Sequence, residues 1–210
     1  MRIGILGSGN VGGTLGRRWA RNGHTVVFSS RNPESAEMKR LVEEAGPSAH
    51  AATVAESARA SDVVLVATPW PATRDALAAA GDLSGKVLID ATNPLLPSLD
   101  GLTVGTTTSG GEQVAAWARG ARVVKALNTV GFNIMANPQF DGGAAVLFYC
   151  GDDSAAKQAV HGLAQELGFD PKDAGPLTRA RLLEPFALLW ISLAFTPGHG
   201  REFAFQLLTR

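Results

Sequence analysis

A glycine-rich turn near the start of the chain constrains the fold more than any other feature. Residues 2–6 read as a short buried strand, and a helix-like run extends from the turn to about Asn22. The turn contains the residues Gly7, Ser8, Gly9, Asn10, Val11 and Gly12. In this spacing the first glycine permits a tight turn, the second lets a pyrophosphate approach the backbone, and the third allows close helix–strand packing. Free N–H groups at the helix start would bind the phosphates, so the stretch predicts a dinucleotide-binding unit.

The end of the next strand indicates which dinucleotide binds. The strand at residues 25–28 is followed by Ser29, Ser30, Arg31 and Asn32, and no acidic residue appears before Glu34. An NAD site usually places Asp or Glu here to bind the ribose 2′-hydroxyl. Two hydroxyls, a guanidinium and an amide can instead hydrogen-bond a 2′-phosphate. We therefore expect NADP(H) ahead of NAD; the alternative is a solvated turn before a helix that starts near Pro33.

Strand-like and helix-like segments alternate along the remaining chain, which is typical of a parallel sheet with helices on both faces. The expected strands are residues 50–52, 63–67, 86–90, 122–126, 144–150 and 169–174. The expected helices are residues 33–45, 53–60, 109–118, 152–167, 177–195 and 201–208. We predict a Rossmann-like, doubly wound α/β fold. Residues 1–176 would form the NADP-binding domain, and residues 177–210 a helical C-terminal segment packed on the same domain.

Size, charge and cysteine content narrow the function classes. The 210 residues are 45% hydrophobic with a formal net charge of zero, which suits one α/β domain with a full core. Balanced charge argues against nucleic-acid binding, and the longest uncharged apolar run, residues 186–195, is too short to span a bilayer. The strand that directly follows Met1 leaves no room for a signal peptide, so we expect a cytoplasmic protein. The single cysteine, Cys150, is expected to be a buried strand residue and not a nucleophile.

Polar and turn-forming residues recur where the predicted strands end. Beyond the two ends already described, they are Thr68, Pro69, Trp70, Thr92, Asn93, Asn128 and Thr129. Each could be ordinary turn chemistry, but ligands of open parallel sheets bind outside the carboxyl ends of the strands. Their recurrence therefore predicts a shared ligand rim. Pro69 and Trp70 would form one wall of the cofactor cleft, unless Trp70 simply packs on the following helix.

The sequence offers few candidates for acid–base or metal chemistry. It contains no catalytic triad or closely spaced pair of carboxylates, and its four histidines are scattered. No metal-ligand spacing is present, so we expect no metal site. We assign no catalytic residue except Asn128, which would position the nicotinamide or, alternatively, cap a helix beginning near Gly131. An NADP enzyme without an acid–base set indicates hydride transfer between the nicotinamide and a second redox ring.

A series of motifs runs in order along nearly the whole chain. They comprise residues 7–12, 30–31, 69–70, 123–129, 150–153, 173–177 and 181–184. Together they resemble the F420-dependent NADP oxidoreductases and equally the cytoplasmic NADPH-binding domain of the STEAP metalloreductases. The resemblance implies an NADPH site formed by the glycine loop, Ser30 and Arg31, with Pro69 and Trp70 beside the cofactor. It also implies that a second ring stacks on the nicotinamide near residues 128–129 and the C-terminal segment.

Two positions depart from the F420-dependent pattern. Those reductases carry His and, three residues later, Pro in the nicotinamide-facing loop, where this chain has Asn128 and Gly131. STEAP-type domains carry Asn at the first position, which leaves F420, FMN and FAD open as the second redox partner. Ser35 stands where the family often has a basic residue, so Lys39 is the expected substitute.

Three functions stay open on this reasoning. The leading one is an NADPH-dependent oxidoreductase that passes hydride to F420 or a flavin. The second is reduction of a small imine or carbonyl compound, as in pyrroline-carboxylate-type reductases, although those chains usually add a long dimerising helical domain. The third is a non-catalytic NADP(H)-binding module that reports redox state. The nearly all-apolar residues 188–195 must be buried, either in the core of the chain or against a partner, and the resemblance implies that the chain forms a homodimer.

Overall fold

A mostly parallel sheet of eight strands organises the computed structural model, which describes residues 1–210. The chain has ten strands in all, of which two lie outside this sheet. They are β1 (Arg2–Leu6), β2 (Thr25–Ser29), β3 (Ala49–Ala52), β4 (Val63–Val66), β5 (Val87–Asp90), β6 (Arg122–Lys125), β7 (Gln139–Phe140), β8 (Gly143–Ala144), β9 (Val146–Gly151) and β10 (Asp170–Asp173). Their order in the sheet is β10-β9-β6-β5-β4-β1-β2-β3, and β7 and β8 form a separate hairpin. Strand β9 pairs antiparallel with β6 and parallel with β10. The six remaining strands have the Rossmann order 3-2-1-4-5-6, which confirms the predicted fold class.

Eight α-helices cover the sheet. They are α1 (Asn10–Arg21), α2 (Ala36–Ala45), α3 (Val54–Ala60), α4 (Trp70–Ala80), α5 (Gly110–Trp117), α6 (Phe132–Ala136), α7 (Ser154–Glu166) and α8 (Ala180–Ala194). Side-chain caps define several starts: Thr53 and Glu56 form the predicted capping box, and Asp153 caps α7. Helix α2 begins three residues after the predicted Pro33 because the Ser35 hydroxyl accepts a hydrogen bond from the Met38 N–H.

Two apolar cores lie on opposite faces of the sheet. In β4, Val63 and Leu65 point into one core, and Val64 and Val66 point into the other. All four are buried, because successive side chains of a strand alternate between faces and helices cover both. This burial explains why the parallel strands appear in the sequence as continuous apolar runs.

Helix α1 lies unusually close to the strands beneath it. A Cβ atom at Gly12 would stand 2.0 Å from the Gly7 carbonyl oxygen, and one at Gly16 would stand 2.3 Å from the Phe28 ring. Any side chain at either position would therefore push the helix away from β1 and β2. The third glycine of the motif has the packing role that the spacing predicted.

The C-terminal segment is only partly helical. Helix α8 confirms the helix predicted before residue 195, but the helix predicted at residues 201–208 is wrong. Those residues follow an irregular path in which the Phe205 carbonyl accepts a hydrogen bond from the Val146 N–H at 3.0 Å. Phe203 stacks on Trp190 with ring centroids 5.2 Å apart. Phe203, Ala204 and Phe205 all pack on the core, each partly buried, so these contacts and not a helical repeat determine the path of the segment.

Candidate functional site

The glycine loop opens onto a cleft at the carboxyl ends of the strands. Gly7 has a φ of +98°, which favours glycine because side chains clash in this region. Gly9 precedes α1, and a Cβ atom there would meet nothing within 4 Å. The first N–H groups of α1 lack partners within the helix, and no acidic residue stands in its first turn. The Ser8 hydroxyl donates to the Ser29 carbonyl at 2.9 Å and so holds the loop against the end of β2.

One part of the cleft, which we call the Arg31 cavity, has a volume of about 650 Å³. It is lined by the glycine loop, by Ser29, Ser30 and Arg31, by the start of α2 with Glu37, and by one side of α4 with Asp75. Arg31 is exposed and takes part in none of the ion pairs of the chain. Lys39 pairs with Glu34 at 3.1 Å, with 64% of its side chain exposed, and does not line the cavity. Arg31 is therefore the cation that this cavity offers to an anion.

The other part, which we call the Trp70 cavity, has a volume of about 680 Å³. Its wall on the β4 side contains Thr68, Pro69 and Trp70, and its wall on the β5 side contains Thr92 and Asn93. Apolar residues of the loop after Asn93 complete it, and no lining residue is titratable. Gly9 and Thr68 line both cavities, so one continuous cleft runs along the ends of the strands.

Trp70 is the first residue of α4, and its side chain contacts both the cleft and a neighbouring helix. Its side chain lines the Trp70 cavity, and its ring lies 5.3 Å from that of Trp117 in α5 at an angle of 32°. Asn32, by contrast, lies beside the cleft and lines neither cavity. The structure thus brings most of the predicted strand-end residues together around the cleft.

Asn128 stands behind Asn93 and does not line either cavity. Its Nδ2 donates to Asn93 Oδ1 at 3.1 Å and to the Leu183 carbonyl at 3.2 Å, and Asn93 Nδ2 donates to the Asn128 carbonyl at 2.8 Å. The alternative in which Asn128 caps a helix is wrong, because Gly131 is the residue that precedes α6. Asn128 Oδ1 and Thr129 Oγ1 are buried without a hydrogen-bond partner in the chain.

A buried ion cluster lies beneath these residues, and the sequence analysis missed it. Lys125 Nζ lies 2.9 Å from Asp90 Oδ2 and 2.9 Å from Glu184 Oε1, and all three side chains are at most 1% exposed. Burial opposes the charged ammonium, but the two carboxylates outweigh this effect and raise the pKa of Lys125. The signal in the sequence was a charged residue directly after the apolar residues of two strands, Asp90 after residues 87–89 and Lys125 after residues 123–124.

No histidine or cysteine side chain lines the cleft. His24 bonds the terminal amine of Met1 and Glu166, and His161 bonds the Tyr149 hydroxyl. Burial raises the pKa of Cys150 to about 12, as expected for a thiol with a packing role. No group of three His, Cys, Asp or Glu residues is placed to bind a metal ion. None of the helices combines the length and apolar character needed to cross a bilayer.

Comparison with known proteins connects this cleft with a family. Residues 2–94 match the model of the family "NADP oxidoreductase coenzyme F420-dependent". The F420-dependent NADP reductase of Methanothermobacter thermautotrophicus is 31% identical over 92% of this chain and 89% of its own length. The metalloreductase STEAP3 of Rattus norvegicus is 35% identical over 89% of this chain, which spans only 36% of the length of that protein.

The chain also resembles solved structures of reductases. A protein from Arthrobacter sp. FB24, provisionally described as an F420-dependent NADP reductase, superposes with a TM-score of 0.90, 35% identity and complete coverage of both chains. A reductive aminase from Aspergillus terreus, solved in complex with NADPH4, cyclohexanone and allyl amine, superposes with a TM-score of 0.69 and 26% identity. That match covers 92% of this chain and 62% of the aminase.

Proposed function

Because the chain belongs to the F420-dependent NADP reductase family and is an NADP-dependent oxidoreductase, we propose that it passes hydride between NADP(H) and a deazaflavin or flavin ring. The observation that carries this proposal is the Trp70 cavity, which joins the glycine loop and has no titratable residue in its lining. Such a site would orient the two redox rings and exclude water, and the rings themselves would supply the chemistry.

The Arg31 cavity and the glycine loop would hold the phosphate-bearing half of NADP(H). The open space at Gly9 leaves room for a pyrophosphate against the backbone, and the free N–H groups of α1 would bind it. Arg31, with Ser30 beside it, would bind the 2′-phosphate through charge-assisted hydrogen bonds. When bound, NADPH supplies the hydride. The chain would form this NADP-binding domain from residues 1–176, with residues 177–210 packed on it.

The Trp70 cavity would hold the reacting ends. Pro69 and Trp70 offer an apolar wall, and Asn93 offers an amide whose orientation Asn128 fixes from behind through two hydrogen bonds. Thr68 and Thr92 add neutral hydroxyl groups. An apolar lining with a few placed polar groups is typical of sites that bind flat organic rings. F420, FMN and FAD all carry such a ring.

Reduction of a small imine or carbonyl compound is the second candidate, since the reductive aminase shares the fold and a quarter of aligned residues. That reaction also needs a proton, which in this cavity only threonine hydroxyls or water could deliver. The first candidate needs no such donor. A non-catalytic redox-sensing module is set aside because the chain belongs to an oxidoreductase family.

We further propose that two copies of the chain associate through α8. Leu182, Leu189 and Phe195 are 60%, 49% and 56% exposed on and just after this helix. An exposed apolar surface of this kind usually marks an interface. A homodimer would bury it without altering the sheet.

Anaerobic oxidation of NADPH by the purified protein tests the proposed acceptor. F420, FMN, FAD and a cyclic imine would be compared at equal concentration. We expect turnover with at least one of the three ring cofactors and little with the imine. Turnover with the imine alone would overturn the hydride acceptor proposed here and favour the second candidate.

A further inference from the structure

The Asp90–Lys125–Glu184 cluster connects two parts of the structure that flank the Trp70 cavity. Asp90 and Lys125 end the neighbouring strands β5 and β6, and Glu184 comes from α8. None of the three lines the cleft, so the proposed chemistry does not use them.

The cluster holds the Asn93 side of the cavity from below. Lys125 Nζ donates to the Thr92 carbonyl at 2.6 Å. Asp90 Oδ1 accepts hydrogen bonds from the Thr92 N–H at 2.9 Å and from the Thr92 hydroxyl at 2.7 Å. The turn that presents Thr92 and Asn93 to the cavity is therefore bonded to the cluster at three points.

The same cluster holds the Trp70 side. The two oxygens of Glu184 accept hydrogen bonds from the Gly110 and Gly111 N–H groups, both at 2.9 Å, so that Glu184 fixes the first turn of α5. A Cβ atom at Gly110 would stand 3.0 Å from Glu184 and 3.2 Å from the Trp70 ring. The start of α5 is thus packed between the carboxylate and Trp70.

We propose that Lys125 is a positioning residue that sets the spacing between the Asn93 and Trp70 walls of the cavity. This inference rests on the proposed function, in which the reacting rings lie between those walls. An ammonium group has three donors; here it donates to Asp90 and to the Thr92 carbonyl and forms an ion pair with Glu184. Lys125 thereby links β5, β6 and α8 through a single atom.

Stability alone is a weak explanation for such a cluster. Apolar side chains of similar volume often stabilise a core as well as a buried ion pair does, because the ions must first lose their water. Directional bonds, however, fix a geometry that apolar packing leaves adjustable. Displacement of a reacting group by about 1 Å can reduce turnover by about 10²-fold, so a small change in the spacing of the walls would be visible in kcat.

The test compares three variants with the wild-type protein. The double variant Lys125→Met/Glu184→Gln removes the ammonium group that links the elements. Glu184→Gln is included so that Lys125→Met does not leave two unpaired carboxylates facing each other. Asp90 keeps its two hydrogen bonds from Thr92. Glu184→Gln alone weakens the link at one point. Leu163→Ala, in α7 on the opposite face of the sheet, is the matched control for loss of core stability.

Three quantities would be measured well below each variant's unfolding temperature: Kd for NADPH, kcat with the best acceptor, and the fluorescence of bound NADPH without an acceptor. In the double variant we expect kcat to fall by about tenfold to 10²-fold, with Kd for NADPH changed by less than about threefold. Any increase in nicotinamide fluorescence that NADPH shows on binding to the wild-type protein should be smaller or absent in this variant. Glu184→Gln should show smaller changes in the same direction, and Leu163→Ala none.

Unchanged kcat and fluorescence in the folded double variant would overturn the inference and leave the cluster a purely structural role. If the wild-type protein reduces no acceptor, the proposed function fails, and the fluorescence of bound NADPH still decides the role of Lys125. If the double variant does not fold, the comparison of Glu184→Gln with Leu163→Ala decides it in the same way.

Discussion

Arg31 should determine most of the preference for NADPH over NADH. It is the cation that lines the Arg31 cavity, and it forms no ion pair that a phosphate would have to displace. In the Arg31→Ala variant the 2′-phosphate would keep the Ser30 hydroxyl but lose its opposite charge. NADH lacks that phosphate, so its affinity should hardly change. The variant should therefore lower the ratio of the two affinities by weakening NADPH alone.

The size of the effect follows from the exposure of the site. Hydrogen bonds to charged groups contribute about 1.5–3 kcal/mol, which corresponds to about 10- to 150-fold in Kd. Arg31 is exposed, and salt screens exposed charges, so we expect the lower end of this range. The effect on NADPH should also shrink as the salt concentration rises.

Fluorescence titration of the wild-type, Arg31→Ala and Lys39→Ala proteins with both dinucleotides measures these affinities. Lys39 is the matched control because it is a nearby cation that already pairs with Glu34. Its replacement should change Kd for NADPH by less than about threefold, as is usual for an exposed ion pair. Equal affinities of the wild-type protein for NADPH and NADH, or an unchanged ratio in Arg31→Ala, would refute the reasoning.

Three further predictions concern other parts of the molecule. Gly9→Val should abolish NADPH binding with little change in Tm, because a side chain there meets open space in the protein but would occupy the pyrophosphate position; a folded variant that still binds NADPH would contradict it. Light scattering at micromolar concentration should report a dimer for the wild-type protein and a monomer for Leu189→Asp, and a wild-type monomer would exclude the α8 interface. Cys150, with its pKa raised to about 12, should react with a thiol reagent at about pH 8 only after denaturation; rapid labelling of the native protein would show that the thiol is accessible.

The parts of the fold that the sequence predicted are those governed by local rules. The glycine spacing identified the first βαβ unit, and the apolar runs identified strands buried on both faces. Capping side chains such as Thr53 and Asp153 marked helix starts within a few residues. The cleft followed from the general rule that the carboxyl ends of parallel strands share one edge.

The parts that escaped prediction depend on contacts between distant residues. Lys125 and Glu184 are 59 positions apart in the sequence, and nothing local shows that they meet. The segment that contains Phe203 and Phe205 is shaped by Trp190 and β9, so its local helical appearance was misleading. The sequence predicts Asn128 at the carboxyl edge of the sheet, but only the structure shows that Asn93 lies between Asn128 and the cleft.

The central claim is direct hydride transfer from NADPH to a ring held in the Trp70 cavity. The most direct test is an anaerobic single turnover in which NADPH carries deuterium at the transferable position of the nicotinamide and F420 is the acceptor. A deazaflavin accepts hydride at a ring carbon, where the label does not exchange with water. The account predicts reduced F420 with deuterium on that carbon. Failure to reduce any of F420, FMN and FAD, or reduced F420 that carries hydrogen from the solvent on that carbon, would contradict it.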